Sequence, residues 1–151
     1  MSPSATEAAP KTSAQAPNFT LSDLSGQKVS LQDFRGRVVL LDFWAIWCPP
    51  CRMSIPALEK LNKEYSSRGL QVVGVNLDED SSGVPDFVKE NSMQYPILMG
   101  AESDVSELYQ VRGIPTMYLI DKNGAIVRRW IGYDPKLQKE WRQSIDNLLT
   151  S

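Results

Sequence analysis

The segment FWAIWCPPCRMS holds the only two cysteines of the 151-residue chain, Cys48 and Cys51, three positions apart. Such a pair can crosslink the chain, supply half of a metal site, or cycle between dithiol and disulfide. A crosslink closing so short a loop constrains little chain entropy, and two intervening prolines make it an odd staple. Structural zinc takes four ligands, and this chain offers two thiols and no histidine, so that site would require a dimer. Thiols that exchange electrons are the reading these residues favour. The lack of histidine also excludes Cys-His and Ser-His-Asp catalysis, histidine metal sites and histidine-ligated haem. Arg52 follows Cys51, so the CxxCH haem-attachment pattern is absent. Proton transfer must then use carboxylates, thiols, lysine, tyrosine or water.

The elements on either side set the roles of the two cysteines. Residues 38 to 43, VVLLDF, form an apolar run of the kind that makes a central strand buried on both faces. Pro49 then opens a helix expected to run to about Ser67, with Gly69 as its stop. Cys48 falls at the N-cap, where the positive end of the helix favours a thiolate. Cys51 lies one turn further in and more buried. Cys48 is therefore the expected nucleophile and Cys51 the resolving thiol. Pro49 and Pro50 carry no N–H, so the thiol pKa of Cys48 should be lowered only moderately.

Asp42 stands inside the same strand, and alternation puts it with Val38 and Leu40 on a covered face. A carboxylate there costs free energy unless it is protonated, hydrated or paired. It is either a proton acceptor or a hydrogen-bonded structural acid near the strand end.

Composition fits one domain with a real core: 42% hydrophobic, 23% charged and a net charge of −2. Nothing in that balance points to nucleic acid or an anionic membrane. Residues 1–17 are rich in Ala, Ser, Pro and Thr, and read as a disordered tether or an appended tail. Residues 18–151 read as the folded domain. Phe19–Leu21 and Val29–Leu31 suggest a hairpin, and 70–77 a second buried strand. A helix from Pro85 and a short strand at Ile97–Met99 follow, then a helical stretch around Val105–Tyr109. Strands at 117–120 and 125–130 flank an Asp121–Gly124 turn, and a last helix starts near Pro135. Strands alternating with helices indicate an α/β fold with a mixed sheet.

VVLLDFWAIWCPPC closely resembles the thioredoxin active-site segment, and VRGIPTMYLIDKNG resembles its partner loop. The leading APNFTLSDLSGQKVSLQDFRGRVVLLDFWA is similar to the TlpA/ResA-type branch of thioredoxin-like proteins. The resemblance implies a thioredoxin fold: a mixed central sheet flanked by helices, with an N-terminal hairpin and an inserted helix-strand segment. It implies that Pro115 is a cis-proline facing the disulfide. Trp47, Ile114, Pro115 and Gly132 would line a shallow substrate groove, with the Ile114 backbone free to pair with a peptide. Trp44 is expected in the core. Asp42 matches the family's buried aspartate, a proton acceptor for the resolving cysteine.

Several positions depart from the family pattern. Ser54 stands where many TlpA/ResA relatives have glutamate, and Asp42 where many have asparagine. The thioredoxin lysine that partners the aspartate aligns near Gly74. Pro56 matches the family's helix-kinking proline. Peroxide reduction is disfavoured, since Leu41 and Ala45 replace the proline and threonine of a peroxidatic site.

The implied activity is a thiol-disulfide oxidoreductase that reduces protein disulfides, with cytochrome c maturation a common role in the branch. A disulfide-forming oxidase and a Cu(I)-handling protein are the alternatives, although Met53, Met99 and Met117 read as core or local packing. No cofactor and no metal are expected. The partners would be a disulfide-containing protein substrate and an upstream thiol electron donor, membrane-bound in one version, acting on a monomer. The expected location is extracytoplasmic, periplasmic or membrane-anchored, with the cytoplasm as the alternative.

Overall fold

The computed structural model describes residues 6–8 and 14–150. Its strands are β1 (Thr6–Ala8), β2 (Thr20–Asp23), β3 (Lys28–Ser30), β4 (Val38–Trp44), β5 (Leu70–Asn76), β6 (Ile97–Met99), β7 (Thr116–Ile120) and β8 (Ile126–Ile131). The helices are α1 (Pro49–Tyr65), α2 (Val84–Glu90), α3 (Val105–Leu108) and α4 (Leu137–Leu149). The strands form one sheet in the order β1-β8-β7-β4-β5-β6-β2-β3. β4, β5 and β6 run parallel, and the remaining pairings are antiparallel. This is the mixed sheet of a thioredoxin fold.

β4 lies near the centre, and all seven of its residues are buried. Its apolar residues alternate between two cores, as a period of two requires. Val38, Leu40 and Trp44 pack with Ile55, Leu58 and Leu61 of α1 and with Trp141 and Ile145 of α4. Val39, Leu41 and Phe43 pack with Phe19, Leu21, Leu31, Val105 and Tyr109. Burial on both sides explains why the strand reads as an unbroken apolar run.

Beyond Trp44 the chain turns directly into α1, whose first two positions are prolines. Pro56 sits inside this helix and removes one backbone donor from its ladder. A 3₁₀ turn at Ser66–Arg68 ends it, closed by Gly69 at φ +112°, a conformation glycine adopts without steric cost. The inserted segment contributes α2 and β6. β6 joins the sheet beside β5 and in turn pairs with β2, so the insertion carries the N-terminal hairpin. Phe87 of α2 stacks at a tilt on Trp44, their rings 5.6 Å apart.

The N-terminal stretch differs from the tether expected over 1–17. Thr6–Ala8 pairs along the edge of β8, with Ala8 opposite Arg128, and Ala14 O accepts a hydrogen bond from Ile126 N–H at 2.8 Å. Gln15 bridges Ala125, Ala16 is buried, and the Pro17 carbonyl accepts from the Tyr109 hydroxyl. The edge of β8 offers backbone groups that a neighbouring strand of any composition can satisfy, which composition alone does not reveal. The remainder of that stretch, residues 1–5 and 9–13, lies outside the described residues.

Gly74 faces Asp42 in the β4–β5 register. A Cβ at this position would lie 2.9 Å from Trp44 Nε1 and 3.2 Å from Tyr95 Cε1 and Ile97 Cδ1. Gly74→Ala is expected to destabilise the fold by about 1–3 kcal/mol through overpacking, read from urea unfolding. An unchanged midpoint would show that the core accommodates the methyl group freely.

Candidate active site

Cys48 and Cys51 form a disulfide across the first turn of α1, their Cα atoms 5.2 Å apart. Cys48 is the N-cap, as its position before Pro49 predicts, and its sulfur accepts the Cys51 N–H at 3.2 Å. Two prolines occupy the first helical positions, leaving Cys51 N–H as the backbone donor of the first turn that reaches this sulfur. The Cys48 carbonyl accepts from Arg52 N–H at 3.0 Å and starts the helical ladder. Both cysteines are buried, Cys48 at 2% exposure and Cys51 completely.

The second side of the site is the loop before β7. The Ile114–Pro115 peptide bond is cis, and Cys48 Sγ lies 3.6 Å from the Ile114 carbonyl oxygen. Once reduced, the Cys48 thiol can donate to that oxygen. Gly132 N–H donates to the Pro115 carbonyl at 2.7 Å, with Gly132 at φ +86°, and Thr116 Oγ1 donates to Gly113 O at 2.6 Å. These bonds brace the loop against the start of the segment after β8. Cys48, Ile114, Pro115 and Gly132 therefore lie at the end of the sheet where β4 gives way to α1 and β7 begins. Trp47, next to Cys48, is 67% exposed, whereas Trp44 is fully buried. A large aromatic surface left in water beside a reactive sulfur suits contact with another molecule.

Sequence reasoning did not single out Asp78, which fixes the turn leading to Cys48. Its carboxylate accepts from Ile46 N–H at 2.9 Å and from the Asn76 side-chain amide at 2.8 Å. Asp78 N–H donates to Asn76 Oδ1 at 2.9 Å, and Leu77 N–H to Trp44 O at 2.9 Å. The end of β5 thus holds the backbone between β4 and α1. A carboxylate immediately after a buried strand was the available signal, but its partner lies 32 residues away. Ser54 is buried and donates to the Cys51 carbonyl at 2.9 Å, a bond internal to the helix.

Asp42 is 1% exposed, and neither carboxylate oxygen has a hydrogen-bond partner among the described residues. Burial pushes its pKa up to about 7, with desolvation the sole cause. Gly74 opposite supplies no cation, in keeping with the absence of the thioredoxin lysine. Among the described residues no cluster of histidine, cysteine or acidic side chains could hold a metal ion. Met117 is core and Met99 half-buried, but Met53 is 61% exposed rather than packed, because it lies on the outer face of α1.

A Cys-x-x-Cys disulfide at a helix N-terminus, faced by a cis-proline loop on a mixed sheet, defines a thioredoxin-like thiol-disulfide oxidoreductase. The chain belongs to the AhpC/TSA family, which residues 12–129 match. It is 36% identical over 126 residues to a thiol-disulfide oxidoreductase ResA of Bacillus cereus, covering 83% of this chain and 73% of that protein. It is 41% identical over 135 residues to the thioredoxin-like protein YneN of Bacillus subtilis, covering 87% and 78%. A crystal structure described as a thiol:disulfide interchange protein DsbE from Chlorobium tepidum superposes with a TM-score of 0.87 at 36% identity, over 91% of this chain and 96% of that one.

Two outcomes follow from this geometry. Alkylation of the reduced protein near neutral pH, followed by peptide mapping, should modify Cys48 before Cys51, and the reverse order would exchange their roles. For the oxidised protein, the unfolded Asp42 ionises near 3.8 and the folded one near 7. Between those values the folded state holds the extra proton, so Asp42 makes stability fall by about 1.4 kcal/mol per pH unit as pH rises. Asp42→Asn should therefore be more stable than wild type above neutral pH, with the gap closing as pH falls through that window. A gap independent of pH in paired urea melts would mean that Asp42 is ionised in the fold throughout.

Proposed function

We propose that this chain reduces disulfides in protein substrates through a Cys48–Cys51 dithiol/disulfide cycle. The Cys48 thiolate attacks one sulfur of the substrate disulfide and forms a mixed disulfide, releasing the other substrate sulfur as a thiolate. Asp42 takes the Cys51 proton, and the Cys51 thiolate attacks Cys48 Sγ. The second substrate thiolate leaves and the Cys48–Cys51 disulfide closes. Two electrons have passed to the substrate, and an upstream dithiol donor restores the reduced pair.

The observation that carries this reading is the position of the Cys48 sulfur. It is capped by Cys51 N–H at 3.2 Å and lies 3.6 Å from the Ile114 carbonyl, with Cys51 buried behind it. An extended substrate segment laid along Ile114 reaches Cys48 first. Trp47, Ile114, Pro115 and Gly132 form the groove, and pairing with the Ile114 backbone aligns the substrate disulfide. The single capping N–H gives the thiolate modest support, which favours a reductant over a strong oxidant.

The resemblance to the TlpA/ResA-type branch, with relatives named ResA among the similar proteins, supports a place outside the cytoplasm and a part in cytochrome c maturation. The protein acts as a monomer, with no cofactor and no metal, and its donor is a thiol protein, membrane-bound where the compartment requires it. Among the described residues no helix is long and apolar enough to cross a membrane.

The reduction potential together with insulin reduction tests this reading. A potential nearer the thioredoxin value of about −270 mV than the DsbA value of about −120 mV is expected, with insulin reduced. A potential near the DsbA value would instead identify an oxidase. Cys51→Ser should trap Cys48 in mixed disulfides with the substrates, and failure to trap any would contradict the order of attack.

A further inference from the structure

Two arginines flank Cys48, and they stand on different elements. Arg52 N–H donates to the Cys48 carbonyl at 3.0 Å, so these residues share one face of α1, one turn apart. Helical side chains lean toward the N-terminus, which tilts Arg52 back over the turn that carries Cys48. Arg112 stands two residues before Ile114, whose carbonyl oxygen lies 3.6 Å from Cys48 Sγ. Both arginines are exposed, and neither guanidinium has a hydrogen bond or ion pair among the described residues. Arg37, Arg68, Arg128 and Arg142, by contrast, each hold a carbonyl or carboxylate oxygen.

An exposed guanidinium without a partner keeps its fork of donors available to another molecule, and a carboxylate matches that fork. The acidic groups of this chain do not take the place. Asp78, Glu79 and Asp80 follow the end of β5, on the side of β4 away from β7. Asp78 is occupied by Ile46 N–H and the Asn76 amide, and Asp80 by Ser82. Asp134, two residues past Gly132, accepts from Lys136 N–H. The chain as a whole carries a net charge of −2, so two unpaired arginines beside Cys48 run against its average.

We propose that Arg52 and Arg112 select substrates whose disulfide lies in a locally acidic segment, with carboxylates within about two residues of the cysteine that Cys48 attacks. This rests on the reading of the chain as a reductant of protein disulfides. A segment laid along the Ile114 backbone brings its cysteine to Cys48, and its successive residues lie about 3.3 Å apart. Carboxylates one or two residues away then come within reach of Arg112 on the β7 side and of Arg52 on the helix side. Exposed Trp47 and Met53, next to Cys48 and Arg52 in the chain, offer apolar contact. Charges placed in this way speed encounter and fix register. The same pair repels a lysine-rich segment, so discrimination has a penalty as well as an attraction. The thiol-disulfide exchange itself is unchanged, since the arginines touch only the substrate's carboxylates.

The test uses three peptides with one disulfide each, identical except for glutamate, glutamine or lysine at the positions flanking both cysteines. Oxidation of the reduced protein by each peptide is followed by tryptophan fluorescence. Each rate is divided by that of dithiothreitol with the same peptide, which removes the peptide's own reactivity. In wild type the glutamate-to-lysine ratio should be about tenfold at low salt, as two partly screened charge contacts allow. It should fall toward one as added salt shortens the screening length. Arg52→Gln and Arg112→Gln should each lower the ratio about threefold, and the double variant should show no preference. Any effect of these variants on Cys48 itself cancels in the ratio, because it acts on all the peptides alike. Arg68→Gln removes the same charge just beyond the far end of α1 and should keep the wild-type ratio. A wild-type ratio of one, or one favouring lysine as the net charge of −2 would, overturns the proposal. So does a preference that survives in the double variant or falls equally in Arg68→Gln. If the reduced wild type is oxidised by none of the peptides and leaves insulin unreduced, the reductant reading itself fails, and the selection with it.

Discussion

Burial of β4 on both faces is the constraint from which the site follows. A strand covered on each side can present reactive groups only where it ends, and here its end runs straight into the N-terminus of α1. Cys48 therefore sits at a capping position, with Cys51 one turn further along the helix. The same double burial strips water from Asp42. Its carboxyl titrates near neutral pH because it is enclosed, with no cation to hold it ionised. One structural cause thus places both the Cys48 sulfur at the strand-helix junction and the Asp42 carboxyl in the interior.

The partner loop has a different origin. β7 lies antiparallel beside β4, so the segment entering β7 arrives at the end of the sheet where β4 gives way to α1. The Ile114 carbonyl then faces Cys48, and the Gly132–Pro115 hydrogen bond ties this loop to the chain leaving β8. From the other side, Asp78 at the end of β5 anchors Ile46. Three neighbouring strands accordingly hold the short stretch around the cysteines. A redox centre that must exchange partners without losing its geometry benefits from such bracing.

Much of this is legible in the sequence because it depends on local rules. The apolar run of β4, the prolines that open α1 and the glycine that ends it locate the strand-helix junction and place Cys48 at the cap. Alternation along β4 identifies Asp42 as buried, while the Trp44–Trp47 contrast is legible through the family resemblance. Features that depend on long-range pairing are not legible. Asp78 meets Ile46 only after β4 and β5 align, and Tyr95 approaches Gly74 only because the insertion brings β6 against β5. The strand at Thr6–Ala8 depends on the edge of β8 rather than on any apolar pattern of its own.

A buried, unpaired Asp42 that can hold a proton near neutral pH is the centre of the proposed cycle. A carbon-detected NMR titration of the Asp42 side-chain carboxyl in the oxidised protein, assigned by comparison with Asp42→Asn, measures this directly. The structure predicts a midpoint at about 7. A midpoint near about 4, the ordinary value for an aspartate, would show that the carboxylate is ionised and stabilised inside the fold, and Asp42 would have no part in accepting the Cys51 proton.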